Sequence, residues 1–334
     1  RRPSERGMKL TVNGRLAYAY TGGKAFDATL PCVVFVHGAL HDHSCWTLLA
    51  RWAAHHGWAV LAVDLPGHGR SPWPAGASTL RDLARAVSPH VPNGAAVLGW
   101  SLGGMVALEL ARSRPGDLAA LVLIATTPCF LARDDWPVGM NPGVLDGFAA
   151  GLAGDYRRTL TNFLALQTWG DENASQALRS LRANLDSHGE PDPQALVAGL
   201  GILRTADLRD ALAAITVPTL VIAGEHDRIT PVAAGRELAS RLPSARFVEV
   251  PKAGHAPFLS HPETVRREIE NFLSFPPFRP SALPPFLPSS LPPFSPTPSH
   301  RHETHRPRTT RPGFAAAPGR GSRLPGRARQ PARD

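Results

Sequence analysis

VLGWSLGGMVALELA, residues 97–111, sets a serine between two glycines where an apolar strand gives way to a helix. Val97 and Leu98 continue an apolar run that starts at Ala95, and Met105 to Ala111 is built from strong helix formers. Packing alone gives a serine no reason to occupy such a join. The spacing predicts a sharp turn that strains the backbone and lifts the Ser101 hydroxyl above the end of a sheet. Gly99 and Gly103 avoid side-chain clashes in that corner. The helix amino terminus beyond the turn favours a developing negative charge. Gly99-Trp100-Ser101-Leu102-Gly103 thus fits G-x-S-x-G in the context that motif needs, with a plain small-residue junction as the alternative.

Further apolar runs recur on either side: PCVVFVHG (31–38), WAVLAVD (58–64), LAALVLIA (118–125), VPTLVIAG (217–224) and ARFVEV (245–250). Nearly continuous apolar strands separated by helical segments predict an α/β fold, a mostly parallel sheet covered on both faces. Between residues 126 and 215 the strand signal stops. DYRRTLTNFLALQTW and ASQALRSLRANL read as amphipathic helices, so an all-helical cap over 126–215 is expected between core segments 8–125 and 216–275. Such a cap would roof the carboxyl edge of the sheet, where ligands bind.

The formal charge of +9 sits mainly at the ends. Residues 1–7 carry +2 and residues 276–334 carry +8, which leaves about −1 for the rest. The folded part therefore gives no nucleic-acid signal. Residues 1–7 read as a disordered extension. The stretch 276–334, rich in Pro and Arg, cannot bury a core and reads as a disordered tail, either a basic interaction segment or a dispensable one. Three cysteines without framework spacing, no apolar run of membrane-spanning length and no signal-peptide pattern point to the cytoplasm.

A nucleophilic serine needs a base and a group to orient the base. In folds with this elbow the chain order is serine, acid, histidine. After VPTLVIAG comes Glu225-His226-Asp227-Arg228-Ile229-Thr230-Pro231, and after ARFVEV comes Pro251-Lys252-Ala253-Gly254-His255. Asp227 is the favoured acid by motif position, with Glu225 as its rival, and His255 is the expected base. His226 is expected to face solvent. The oxyanion hole is expected to use the amides of Leu102 and Ala39, with Gly38 allowing close approach and His37 bracing the loop. His41-Asp42-His43 lacks a third nearby metal ligand and reads as a solvated or substrate-edge loop. No metal or organic cofactor is expected. His68 and Arg70 read as holding the turn DLPGHGRS.

HGA, DLPGHGRS, GWSLGG, GEHDRITP and GHAPFLSHP match, in order, the landmark loops of the α/β-hydrolase superfamily, which the chain resembles over residues 8–275. Within it, ATTPCFLARDDWP, FLALQTWG, GLGILRTADLR and AGHAPFLSHP are similar to the pimeloyl-[acyl-carrier protein] methyl ester esterases of biotin synthesis. That resemblance implies a serine carboxylesterase acting on a methyl ester borne by acyl-carrier protein, with Ser101, Asp227 and His255 as the triad. Trp100 and Phe163 are the expected substrate contacts. Cap arginines engage the acidic carrier in that family. Arg158 and Arg179 match, two further positions fall at Asn162 and Ser175, and Arg157 and Arg182 lie close enough to substitute. A solvated helix face is the alternative reading of these arginines. The family usually places Trp after the HG of the oxyanion loop, where this chain has Ala39, and its first sixty or so residues look more like general esterases. Rival functions are a short-chain carboxylesterase or lactonase on the same scaffold, or a non-catalytic ligand-binding member.

Overall fold

The computed structural model of the protein describes residues 7–12, 15–74 and 76–274. Residues 1–6 of the expected extension and the whole expected tail lie outside the described residues. Eight strands are found among the described residues: β1 (Gly7–Val12), β2 (Arg15–Tyr20), β3 (Cys32–Val36), β4 (Ala59–Val63), β5 (Ala96–Trp100), β6 (Ala120–Ile124), β7 (Thr219–Gly224) and β8 (Ala245–Val250). They form one sheet in the order β1-β2-β4-β3-β5-β6-β7-β8. β2 runs antiparallel to β1 and β4, and every other pairing is parallel.

Every residue of β3 to β7 is buried, which is why these strands read as unbroken apolar runs rather than alternating ones. The two-residue strand period sends Val34, Leu61, Val97 and Leu121 to one core and Val33, Phe35, Val60, Leu98 and Val122 to the other. α2 (Leu80–Val87) and α3 (Leu102–Ser113) close the first core with Leu83, Val106 and Leu110. α1 (Thr47–His55) closes the second with Leu49 and Trp52. The Thr79–Asp82 capping box fixes where α2 begins.

The expectation of an all-helical insertion needs correction. Its first part, residues 126–141, is irregular, pinned by isolated bridges between Cys129 and Asp207 and between Leu131 and Met140. Helices begin only at α4 (Pro142–Gly154), followed by α5 (Tyr156–Gln167), α6 (Ala174–His188) and α7 (Pro193–Thr205). Asn141-Pro142 and Asp192-Pro193 start α4 and α7, each with a side-chain cap and a proline in the first turn. The chain then returns through β7, α8 (Val232–Arg241), β8, α9 (Pro257–Ser260) and α10 (Pro262–Phe272).

After β4 the chain crosses over β3 to enter β5, so the loops leaving β3 and β5 diverge at a topological switch point, where such sheets bind ligands. No helix among the described residues is long and apolar enough to cross a membrane.

Candidate active site

Ser101 stands between the last residue of β5 and the first of α3, with φ 54° and ψ −118°. That left-handed backbone is costly for a residue with a Cβ. The turn is held from both sides. The Ser101 amide donates to the Ile124 carbonyl (3.0 Å), and the Ser101 carbonyl accepts from Thr126 Oγ1 (2.7 Å) and the Gly104 amide (2.9 Å). A Cβ on Gly99 would strike the Gly103 carbonyl, and one on Gly103 would strike the Val36 and His37 carbonyls. The glycines flanking the serine are thus demanded by backbone packed on backbone.

Asp227 and His255 follow β7 and β8 and meet in a buried bond, Nδ1–H of His255 donating to Asp227 Oδ2 (2.7 Å). The other carboxylate oxygen accepts the amides of Ile229 (2.8 Å) and Thr230 (2.9 Å), and the Thr230 hydroxyl also donates to Oδ2 (2.7 Å). A carboxylate only accepts, so Nδ1 carries a proton, and the neutral ring in this tautomer has its lone pair on Nε2. His255 and Ser101 border the same cavity. Among the described residues no hydrogen bond joins the two, a contact that often tightens only around bound substrate. Glu225, the rival acid, is exposed and accepts the Lys252 amide (2.8 Å) instead.

The loop after β3 brings Ala39 to the cavity. Gly38 packs so closely on Trp100 and Ser101 that a Cβ there would meet both. His37 braces the loop as expected, donating from Nδ1 to the Gly38 carbonyl (2.8 Å) and accepting the Leu65 amide at Nε2 (2.9 Å). Leu40, which lines the same cavity as the serine, has φ 67°, a second strained residue. Leu102, as the first residue of α3, has no intrahelical acceptor for its amide. The cavity measures about 460 Å³ and runs between the sheet edge and α4, α5 and α7.

Residues 33–268 match the model of the alpha/beta hydrolase family, a span that holds the serine elbow, the acid and the histidine. The chain belongs to that family. This alpha/beta hydrolase is also 42% identical over 255 residues to a protein of Yersinia pseudotuberculosis named pimeloyl-[acyl-carrier protein] methyl ester esterase, covering 76% of this chain and 96% of the relative. A protein of the same name from Aeromonas hydrophila is 42% identical over 249 residues, 73% of this chain and 95% of its own length. Among solved structures, an esterase from Exiguobacterium antarcticum superposes with a TM-score of 0.71 at 22% identity, covering 80% of this chain and 99% of its own. That likeness shows the fold.

The remaining expected site residues divide. Phe163 borders the hydrolase cavity and packs on Phe148 at 4.8 Å, together with Phe130 and Leu166. Leu164, one residue on, turns into the second core, while Trp136 is buried in a small cluster with Cys129 and Ala234. Trp100 touches the cavity but is fully buried, and its indole N–H donates to the His255 carbonyl (2.8 Å), so it positions the histidine loop. Arg158 is exposed at the cavity, and Arg179 and Arg182 are exposed on α6. Arg157 pairs with Glu190 (3.5 Å). His226 is partly exposed rather than free in solvent, since its Nδ1–H donates to the Gly170 carbonyl (2.6 Å).

The solvated reading of His41-Asp42-His43 is overturned, because all three are buried. Burial and the neighbouring His37 press the His41 pKa down to about 3, and its Nε2 meets the Gln167 side-chain amide. Asp42, His43 and Asp64 come close enough together to hold a cation. However, Asp64 accepts the His43 amide (2.7 Å), His43 Nδ1 (2.9 Å) and the Arg70 amide (3.0 Å), while Asp42 caps Ser44 (2.7 Å). Those bonds account for the cluster as a brace between two loops. Sequence reasoning misses Thr230, which completes the Asp227 shell, and Gln167, whose carbonyl accepts the His255 amide (2.8 Å). Thr230 is within reach of such reasoning, three residues after the acid in GEHDRITP. Nothing in the cap sequence signals Gln167.

Proposed function

We propose that this hydrolase cleaves a carboxylic ester, specifically the methyl ester of a pimeloyl chain carried on acyl-carrier protein, by two-step acyl transfer. Ser101 attacks the ester carbonyl while His255 Nε2 takes its proton. Asp227 holds the imidazole in the tautomer that can do so and stabilises its charged form. The amides of Ala39 and Leu102 receive the oxyanion, each such donor typically worth ~3 kcal/mol. His255 then protonates departing methanol, and water activated by the same nitrogen frees the acid from the serine. Side chains, backbone amides and water carry every step. The Asp227–His255 bond, opening on the cavity that Ser101 borders, is the observation on which this reading rests.

The substrate reading draws on the named relatives and on a gradient along α5. Its cavity-lining residues start with Gln167, whose carbonyl holds the His255 amide, pass through the apolar Leu166 and Phe163, and continue through Asn162 and Thr159 to Arg158, with the N-cap Asp155 beyond. From Leu166 to Arg158 is about 12 Å at ~1.5 Å per residue. With the methyl ester at Ser101, the methylene chain lies along the apolar part and the thioester-linked arm leaves past the polar part. Arg158, Arg179 and Arg182 then face the acidic carrier. A cytoplasmic site of action fits the three buried free cysteines.

The test is rescue of biotin-free growth in a strain lacking its pimeloyl ester esterase, with Ser101→Ala as the control. Rescue by the native protein and not by the variant is expected. A soluble protein that hydrolyses short esters, labels with a fluorophosphonate and still fails to rescue would be a general carboxylesterase.

A further inference from the structure

His68 borders the cavity and has no part in the acyl transfer. It lies in the turn after β4, which is tightly held. The His68 amide donates to the Leu65 carbonyl (3.0 Å), the Ser71 amide to the His68 carbonyl (3.0 Å), and the Asp192 amide to the Gly67 carbonyl (2.7 Å). Gly67 packs so closely on Ala195, a cavity-lining residue of α7, that a Cβ there would collide with its methyl. The ring is fixed as well, tilted against His37 with centroids 5.2 Å apart, and with Nδ1 3.0 Å from the Pro66 carbonyl.

A carbonyl can only accept, so Nδ1 carries a proton. Burial first, and His37 next, lower the His68 pKa to about 4, which keeps the ring neutral. A neutral ring protonated at Nδ1 has a bare acceptor at Nε2. That atom has no hydrogen-bond partner among the described residues and is not sealed from solvent, on an otherwise buried residue that borders the cavity. A ligand that covers such an acceptor without bringing a donor leaves it unmet at a cost, and one that brings the donor avoids that cost.

We propose that His68 Nε2 is a hydrogen-bond-accepting subsite in the cavity wall, and that the favoured ester carries an N–H or O–H group that reaches it. The inference rests on an ester occupying this cavity, as proposed above. Two sources supply the same chemistry: a hydroxyl on the acyl chain, or an amide N–H in an arm attached at the far end.

Matched methyl esters tell them apart. One set carries a hydroxyl at successive carbons of a seven-carbon acyl chain, beside the unsubstituted ester. The second ends in a secondary amide, beside the N-methylated tertiary amide that lacks the N–H. The native protein is expected to favour one donor-bearing ester over its donor-free partner by about tenfold in kcat/KM, the worth of one neutral hydrogen bond. The member that shows the preference identifies the source. The ratio is expected to fall to about one in His68→Phe and to survive in part in His68→Gln, whose amide oxygen still accepts. A ratio is independent of how much variant protein is folded, and the native comparison alone can overturn the proposal. Turnover of every ester by the native protein without donor preference overturns it, as does a preference that persists in His68→Phe. If no ester is turned over and Ser101 takes no fluorophosphonate label, the hydrolase reading fails and the subsite with it.

Discussion

Replacing Asp227 with asparagine is expected to stop turnover by moving a proton to the wrong nitrogen, with little effect on packing. Oδ1 of Asp227 accepts two backbone amides, from Ile229 at 2.8 Å and Thr230 at 2.9 Å. An asparagine must keep its carbonyl oxygen there, because the opposite orientation sets its NH₂ against two buried donors at ~1–3 kcal/mol for each one left unmet. The NH₂ therefore replaces Oδ2, 2.7 Å from His255 Nδ1. Nδ1 must then accept, the proton moves to Nε2, and the nitrogen proposed as the base can no longer take the Ser101 hydroxyl proton. The corresponding change in a serine protease lowers kcat about 10⁴-fold, a barrier increase of about 5.4 kcal/mol. The assay is kcat on a p-nitrophenyl ester beside the second-order rate of fluorophosphonate labelling, with a melting curve to show the fold intact. Both rates are expected to fall together by three to four orders of magnitude. A folded Asp227→Asn protein that keeps more than about a tenth of native kcat would refute the tautomer argument and the role given to Asp227.

Reversing Arg158, Arg179 and Arg182 to glutamate should raise KM for a carrier-linked ester relative to that for a short ester, at least tenfold in low salt. An unchanged ratio assigns these arginines to the solvated helix face. Gly103→Ala should cost several kcal/mol, because its methyl strikes the Val36 and His37 carbonyls, which cannot move without disturbing β3; a urea midpoint within error of native would contradict this. His41 and His68 have pKa values near 3 and 4 when folded, against about 6.5 unfolded. The unfolded chain therefore binds more protons between those limits. Their stabilising contribution is complete above about pH 6.5 and is lost as pH falls toward 4 and then 3. The urea midpoint should decline over that window, less steeply in His68→Gln, and a midpoint flat from pH 7 to 5 would be inconsistent with neutral buried rings.

Residues whose neighbours are close in sequence, or whose place is fixed by a strand end, are legible in the sequence alone. Ser101, Asp227 and His255 each follow a strand of the parallel part of the sheet, and parallel strands bring their carboxyl ends to one edge, so order along the chain implies proximity in space. The helices 156–167 and 174–188 follow from composition and period. The failures share one cause. His41 and His43 read as solvated because their partners, Gln167 and Asp64, lie 126 and 21 residues away. Trp100 does border the cavity, as its position beside the nucleophile suggests, but the bond from its indole to the His255 carbonyl, 155 residues on, cannot be read from that position. Residues 126–141 contain apolar residues without a period, and the bridge from Cys129 to the distant Asp207 leaves no trace in the segment itself.

Those long-range bonds also bear on what the cap does, through Asp171. The connection from α5 to α6 is stitched to the histidine loop. Besides the Gln167 carbonyl on the His255 amide, Asp171 Oδ2 accepts the Gly254 amide (2.9 Å), and the Glu172 amide donates to the Lys252 carbonyl (3.0 Å). A Cβ on Gly254 would lie 2.7 Å from the Gln167 carbonyl, so loop and cap touch backbone to backbone. A cap that served only as a roof would need none of this. Asp171 is buried, and its second oxygen accepts the Asn173 amide (2.7 Å), so the carboxylate ties the cap turn and the histidine loop together. Asp171→Ala leaves the buried Gly254 amide without an acceptor, at ~1–3 kcal/mol, and frees the residue next to the base. The expected result is a fall in kcat of tenfold or more with KM near native, and a matching fall in the fluorophosphonate labelling rate. Asp171→Asn, which keeps one acceptor oxygen, should lie between. A variant with a lowered melting point but native kcat would mean that the stitch supports the fold and leaves the imidazole where it was. Loss of kcat at unchanged KM would make the cap a part of the catalytic scaffold.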